Sequence, residues 1–233
     1  MTPSQIAVVT AKIQSVFNLA LGPGSGLQAS LAGVVASKLY EARVLAELLE
    51  RLALDGYSFA VVNGSAGLKA APGPINTGYA HIEVFYGKNH RANIWTDVEF
   101  VGLSSYKLAG NATPSARGEY HELDIVVCDP KASGRPNSDQ VYVGVEAKHW
   151  AHIPKKLLRE VLGVRRELSF INRSTNKTNP SFPCPSLVPL TGAEPESHMV
   201  FAFSTVYPTG SGPLTEWVVP SEQFDVELWN IVV

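Results

Sequence analysis

Two apolar runs in the middle of the chain each carry acidic side chains at alternate positions, and few folds accommodate both. The first is His121-Glu122-Leu123-Asp124-Ile125-Val126-Val127-Cys128, and the second is Val141-Tyr142-Val143-Gly144-Val145-Glu146-Ala147-Lys148. Side chains on a strand alternate faces with a period of two. The second run therefore places Val141, Val143, Val145 and Ala147 on one face and Tyr142, Gly144, Glu146 and Lys148 on the other. In the first, Leu123, Ile125 and Val127 share a face opposite Glu122 and Asp124. Paired as neighbours, the two strands bury one hydrophobic side and present carboxylates with one lysine on the other. Such a surface suits a hard divalent cation held on oxygen ligands beside a positive group. That combination points to phosphodiester hydrolysis.

The rest of the chain frames those strands. Thr2 caps an N-terminal amphipathic helix with Pro3 at its first position. Lys12, Gln14 and Asn18 interrupt its apolar side, which argues against a signal peptide. Gly22-Pro23-Gly24-Ser25-Gly26 lacks the Lys-Ser/Thr ending of a phosphate-binding loop and reads as a hinge. A second helix is predicted over residues 32–54, with Leu39, Val44, Leu45, Leu48, Leu49 and Leu52 as its apolar stripe. Strands are predicted at 57–63, 81–86 and 95–103, ahead of the two acidic strands. Turn-rich residues 129–139 make those two an antiparallel pair. A third helix spans 154–172, a proline-rich arm 173–197 and a buried strand 198–205. A strand at 217–220 and a short helix at 221–229 close the chain.

Composition bounds the class. With 233 residues, 45% of them hydrophobic and 17% charged, the chain supports one sizeable core. No apolar run approaches the roughly 18–20 residues that span a bilayer, so no membrane association is expected. Cys128 and Cys184 form no metal-ligand spacing or disulfide framework, which fits a cytoplasmic location. Asn111, Asn172 and Asn176 head glycosylation-type triplets that carry no weight without a secretory signal.

The net charge of −2 conceals an uneven distribution, with local charges of −2 over residues 1–147, +6 over 148–177 and −6 over 178–233. The basic block starts at Lys148 and includes Lys155, Lys156, Arg159, Arg165 and Arg166. Beside the carboxylates, such a helix is placed to track a nucleic-acid backbone, since phosphate contacts supply most non-specific affinity. Standing alone it would read as a solvated helix face.

A helix, several strands with Asp on one and Glu-x-Lys on the next, a helix and another strand: this order resembles the PD-(D/E)XK nuclease superfamily. The similarity covers roughly residues 34–205. Its specific part is Asp124, 21 intervening residues, then Glu146-Ala147-Lys148. Leu123 stands where the family name writes proline, a substitution frequent among such proteins. The resemblance implies an α/β, restriction-endonuclease-like core with a central mixed β-sheet flanked by helices. Residues 1–31 would form an N-terminal helical extension, 32–205 the core, and 206–233 a C-terminal strand and helix.

The resemblance further implies that Asp124 and Glu146, with the Ala147 carbonyl, hold Mg²⁺, for which Mn²⁺ can substitute. Lys148 would position or deprotonate the attacking water and offset charge on the phosphate. Relatives often carry an acidic residue on the first core helix. Glu41, Glu47 and Glu50 are the candidates here, and Glu41 fits best because it follows an aromatic residue and precedes the apolar stripe. DNA is the implied substrate, in restriction or phage defence, with a homodimer or a regulatory partner as possible assemblies. A catalytically inactive nucleic-acid-binding module on the same fold is the alternative.

Other features are weaker. Glu122 is either an extra ligand or a polar residue at the site's edge. Asp97 and Glu99 read as the solvent face of an edge strand rather than a rival carboxylate pair. Tyr142 faces the site by alternation, His149 and His152 lie just beyond Lys148 with no zinc partners, and Trp150 reads as core.

Overall fold

A computed structural model describes residues 1–23, 36–105, 117–149, 155–172, 192–204 and 225–232. The architecture is α/β, with a seven-stranded mixed sheet between helical layers. Helix α1 (Pro3–Leu21) starts as its sequence dictates: the Gln5 amide donates to Thr2 Oγ1, and the Gln5 side chain accepts from the Thr2 amide. This reciprocal cap satisfies amide groups that the first helical turn leaves without partners. Val9, Ile13, Val16 and Phe17 form its buried face and join the core beneath α2 (Ala36–Leu54). Helix α2 stops at Gly56, whose φ of 88° is readily adopted only without a side chain.

Five strands follow: β1 (Tyr57–Val62), β2 (His81–Tyr86), β3 (Asn89–Val101), β4 (Tyr120–Cys128) and β5 (Val141–Lys148). Each pairs antiparallel with the next, as expected for the two acidic strands. Helix α3 (Lys155–Leu168) then precedes two short strands, β6 (Phe170–Asn172) and β7 (Gly192–Glu194), which pair with each other. Strands β8 (His198–Phe203) and β9 (Val226–Asn230) extend the sheet in parallel beyond β5. The order is β1-β2-β3-β4-β5-β8-β9. One core lies between the sheet and α1/α2. A second, built from Val98, Phe100, Leu123, Phe201 and their neighbours, is covered by Leu157, Val161 and Leu168 of α3.

Several expectations are corrected. The third helix ends at Leu168, and Phe170–Asn172 form a strand against Gly192–Glu194. Residues 226–229, expected in a short helix, lie in β9 because Val226 and Trp229 bury against the sheet. The proposed strand at 217–220, most of the proline-rich arm (173–191), Trp150, His152, Asn111, Asn176 and Cys184 lie outside the described residues. Among the described residues, no helix is long and apolar enough to cross a membrane.

The alternation on both central strands is also interrupted. Residues three apart on a regular strand face opposite ways, yet Trp95 and Val98 share the α3-side core, as do Leu123 and Val126. Ile94, Ile125 and Val127 belong to the other core. Each strand therefore slips by one step, and Leu123 leaves the face it was expected to share with Ile125 and Val127. The slips cancel in register: Thr96 pairs with Ile125 and Val98 with Leu123, leaving Asp97 and Asp124 opposite each other at the break.

Candidate metal centre

The slip is where the acidic side chains meet. Asp97 has a φ of 51°, uncommon for a residue with a side chain although tolerated by aspartate. Holding such a conformation costs about 1–3 kcal/mol, so surrounding contacts must impose it. Lys69 supplies one: its ammonium donates to the Asp97 carbonyl at 2.7 Å, and the Thr96 hydroxyl donates to the Lys69 carbonyl at 2.7 Å. Lys69 comes from the long β1–β2 connection, which bridges back onto β3 at Gly73 and Val98.

Carboxylate oxygens of Glu41, Asp97 and Asp124 lie within 4.8 Å of one another, a cluster that can hold a metal ion. Glu41 arrives from α2, Asp97 from β3 and Asp124 from β4. Lys38, one turn before Glu41, bonds Glu41 Oε2 at 2.7 Å and Asp97 Oδ1 at 2.5 Å. Asp97 Oδ2 is buried and has no hydrogen-bond partner among the described residues. A desolvated carboxylate oxygen left in this way is costly, and a cation among the three carboxylates would remove the penalty.

The Glu-x-Lys segment closes the other side of Asp124. The Ala147 amide donates to Asp124 Oδ2 at 2.7 Å. Lys148 Nζ lies 2.9 Å from Asp124 Oδ2 and 2.8 Å from Glu146 Oε2, so it bridges the two signature acids. A cavity of about 360 Å³ adjoins them, lined by Asp124, Glu146 and Lys148 from the sheet and Leu157, Glu160 and Val161 from α3. Glu122 also lines it.

The electrostatics follow from crowding carboxyl groups into a largely buried junction. Burial, reinforced by Asp124, pushes Glu146 up to about 8 despite Lys148. Burial and Asp124 likewise push Glu41 up to about 7 against the pull of Lys38. Asp97 is raised by burial, with Lys38 opposing, and Glu122 is raised by burial and by Asp124 and Asp97. Burial works against the charge on Lys148, but Glu146 and Asp124 outweigh it and hold the ammonium above the ordinary lysine range. Lys38 is raised in the same way, by Asp97 and Glu41 acting against burial.

The structure thus brings together Asp124, Lys148, Ala147 and Glu41, all singled out from the sequence, and joins Glu146 to them through Lys148, outside the three-carboxylate cluster. Glu47 and Glu50 pair elsewhere, with Arg43 and Arg51 and with Lys12. Asp97 was misplaced by alternation: β3 is an inner strand and Asp97 is fully buried, while Glu99 pairs with Arg135 at 2.8 Å. Lys38 and Lys69 were not recognised at all. The sequence does hold a trace of the break, because Trp95, Val98 and Phe100 cannot all lie on one face of a regular strand.

Other expectations are corrected here. Arg165 cannot track a nucleic-acid backbone. It is fully buried, donating to Ser169 Oγ, to Ser197 Oγ and O, and to Asp225 Oδ2. Lys156, Arg159 and Arg166 are exposed on α3, and the Lys155 side chain lies outside the described set. A bulge at the start of β5 turns Tyr142 away from the site, where its hydroxyl donates to Asp129 at the far end of the strand. His149 bonds the Ser204 hydroxyl at 2.6 Å and packs on Tyr40. The chain matches no protein-family model, and neither curated proteins nor solved structures yield a match.

Proposed function

We propose that this chain is a Mg²⁺-dependent endonuclease that hydrolyses phosphodiester bonds of DNA. The observation that carries the proposal is the bridge of Lys148 between Asp124 and Glu146, beside an acidic cluster able to hold a cation. A lone surface ion pair needs no such buried surroundings. Asp124, with Glu146 and the Ala147 carbonyl beside it and Glu41 from α2, would hold Mg²⁺, with Mn²⁺ as a substitute. Bound there, the ion would supply an acidified water and neutralise charge developing on phosphate oxygens.

The remaining roles belong to the chain. Lys148 is an ammonium at neutral pH, held so by its two acidic neighbours, and is therefore suited to stabilising phosphate charge rather than to taking a proton. The Ala147 amide fixes one oxygen of Asp124 and so orients the other. Lys156, Arg159 and Arg166 offer phosphate contacts along α3, next to the cavity. A restriction or phage-defence setting and a dimer or regulatory partner are what the family resemblance adds to this reading.

Plasmid cleavage in Mg²⁺ and then Mn²⁺ tests the proposal, comparing wild type with Glu146→Ala and Lys148→Ala. Metal-dependent nicking or linearisation, abolished in both variants, is the expected result. Activity that survives both substitutions, or none in any protein on any DNA or RNA form, refutes it. DNA binding without cleavage, unaffected by metal and by Glu146→Ala, would favour the inactive binding module.

A further inference from the structure

Building on the metal reading above, we propose that Asp97 is a further ligand of the cation and that Lys38 is its positioning residue. The ligand set implied by resemblance contains neither residue. Asp97 is fully buried on an inner strand, and its carboxylate lies within 4.8 Å of those of Glu41 and Asp124. Two oxygens on one Mg²⁺ ion, each about 2.0–2.1 Å from it, stand at most about 4.2 Å apart, which lies inside that span. One Asp97 oxygen is taken by Lys38, and the other, Oδ2, is buried with no partner among the described residues. Isolated buried carboxylate oxygens are rarely left in that condition.

Lys38 bonds one oxygen of Glu41 and one of Asp97, which leaves the second oxygen of each for a cation. This is how an outer partner orients a ligating carboxylate. The charges agree with that arrangement. Glu41, Asp97, Asp124, Glu146 and Glu122 bring five negative charges when ionised, and Lys38, Lys148 and Lys69 return three. One divalent cation neutralises the remainder without expelling a lysine, whereas a monovalent ion leaves a buried net charge.

The test uses Mn²⁺ as the probe on the full chain. Its affinity is measured by calorimetry for wild type, Asp97→Asn, Lys38→Met and Lys38→Arg, with melting in EDTA recorded for each. Lys38→Met is expected to bind about 10–100-fold more weakly, the range for loss of an outer partner, and Asp97→Asn, which loses a ligand, at least as weakly. Lys38→Arg, which keeps the charge, should stay close to wild type. Unchanged affinity in Asp97→Asn or Lys38→Met overturns the inference. Tighter binding by Lys38→Met also overturns it, since Lys38 would then compete with the ion. Absence of Mn²⁺ binding by wild type does the same.

Wild-type protein supplies a readout that does not depend on the variants folding. Acetylation of Lys38, mapped by peptide mass, should be no greater in Mn²⁺ than in EDTA, and an increase means that the ion displaces the lysine. Plasmid cleavage separates this inference from the nuclease proposal. A wild type that cleaves while Asp97→Asn binds Mn²⁺ normally sinks only the inference. Weakened Mn²⁺ binding in Asp97→Asn, with no cleavage by wild type, supports the inference and sinks only the nuclease.

Discussion

Arg165 sits fully buried in α3 and spends its guanidinium on Ser169, Ser197 and Asp225, while its neighbour Arg166 stands exposed on the same helix. Truncating one partner of a buried ion pair strands the other charge, at a cost of about 3–5 kcal/mol. Arg165→Ala should therefore lose that much stability in urea unfolding, because Asp225 is only 1% exposed. Arg166→Ala should change stability by less than about 0.5 kcal/mol. Its effect should appear in DNA binding instead. The reverse pattern would mean that α3 is rotated from the orientation described. The difference between two adjacent arginines lies in their partners, Ser197 and Asp225, which are 32 and 60 residues away from Arg165.

Packing between strand and helix sets what β4 and β5 can present. Gly144 lies in β5 beneath Leu123 and Leu168, and a Cβ added there would stand 2.9 Å from Leu123 Cδ1 and 3.1 Å from Leu168 Cδ1. Both leucines are fully buried, so they cannot swing aside. Gly144→Ala should destabilise by about 1–3 kcal/mol through overpacking. Adding Leu123→Ala, which alone costs about 2–5 kcal/mol, should give less than the sum, because the smaller side chain removes the clash. Strict additivity in denaturant midpoints would place Gly144 elsewhere.

The outer face of α3 carries a separate expectation. If Lys156, Arg159 and Arg166 each meet a phosphate, replacing all three with alanine should flatten the slope of log affinity against log salt by about 0.9 per lost contact on duplex DNA. A slope identical to wild type would put the DNA on another surface.

These elements also mark where sequence patterning suffices. Helices α1 and α2 were legible because local rules, a cap box and a 3.6-residue stripe, agree with their packing. The signature strands and their antiparallel pairing were legible for the same reason. Asp97 was not, because its burial depends on a backbone slip and on Lys69 and Lys38, which come from other elements. The end of α3 and the identity of β9 depended likewise on distant pairing, with β7 and β8 respectively. Alternation assumes an unbroken strand, and the site is the place where the strands break.

At the level of the whole molecule, the buried acids tie folding to pH and to metal. Glu41 and Glu146 are raised to about 7 and about 8, mainly by burial, against an ordinary value of 4.5. A carboxyl whose folded pKa lies above its unfolded value binds its proton more tightly when folded. Its contribution to stability is thus fully present below about pH 4.5 and is lost as pH rises through 7 and 8. Lys148 and Lys38 are raised too, but a lysine so held loses its contribution only above pH 10.5, outside this window. Metal-free protein should therefore melt higher at pH 5.5 than at pH 8.5, by an amount on the order of a few kcal/mol. A bound divalent cation needs its carboxylates ionised, so it competes with those protons. Mg²⁺ or Mn²⁺ should raise the melting temperature more at pH 8.5 than at pH 5.5, and the metal-bound protein should lose most of the alkaline decline. Thermal unfolding in EDTA and in Mn²⁺ across that range measures both curves. Parallel curves would mean that the acids are ionised throughout and that Lys38 and Lys148 alone satisfy them, leaving the cluster a salt-bridge network rather than a metal centre.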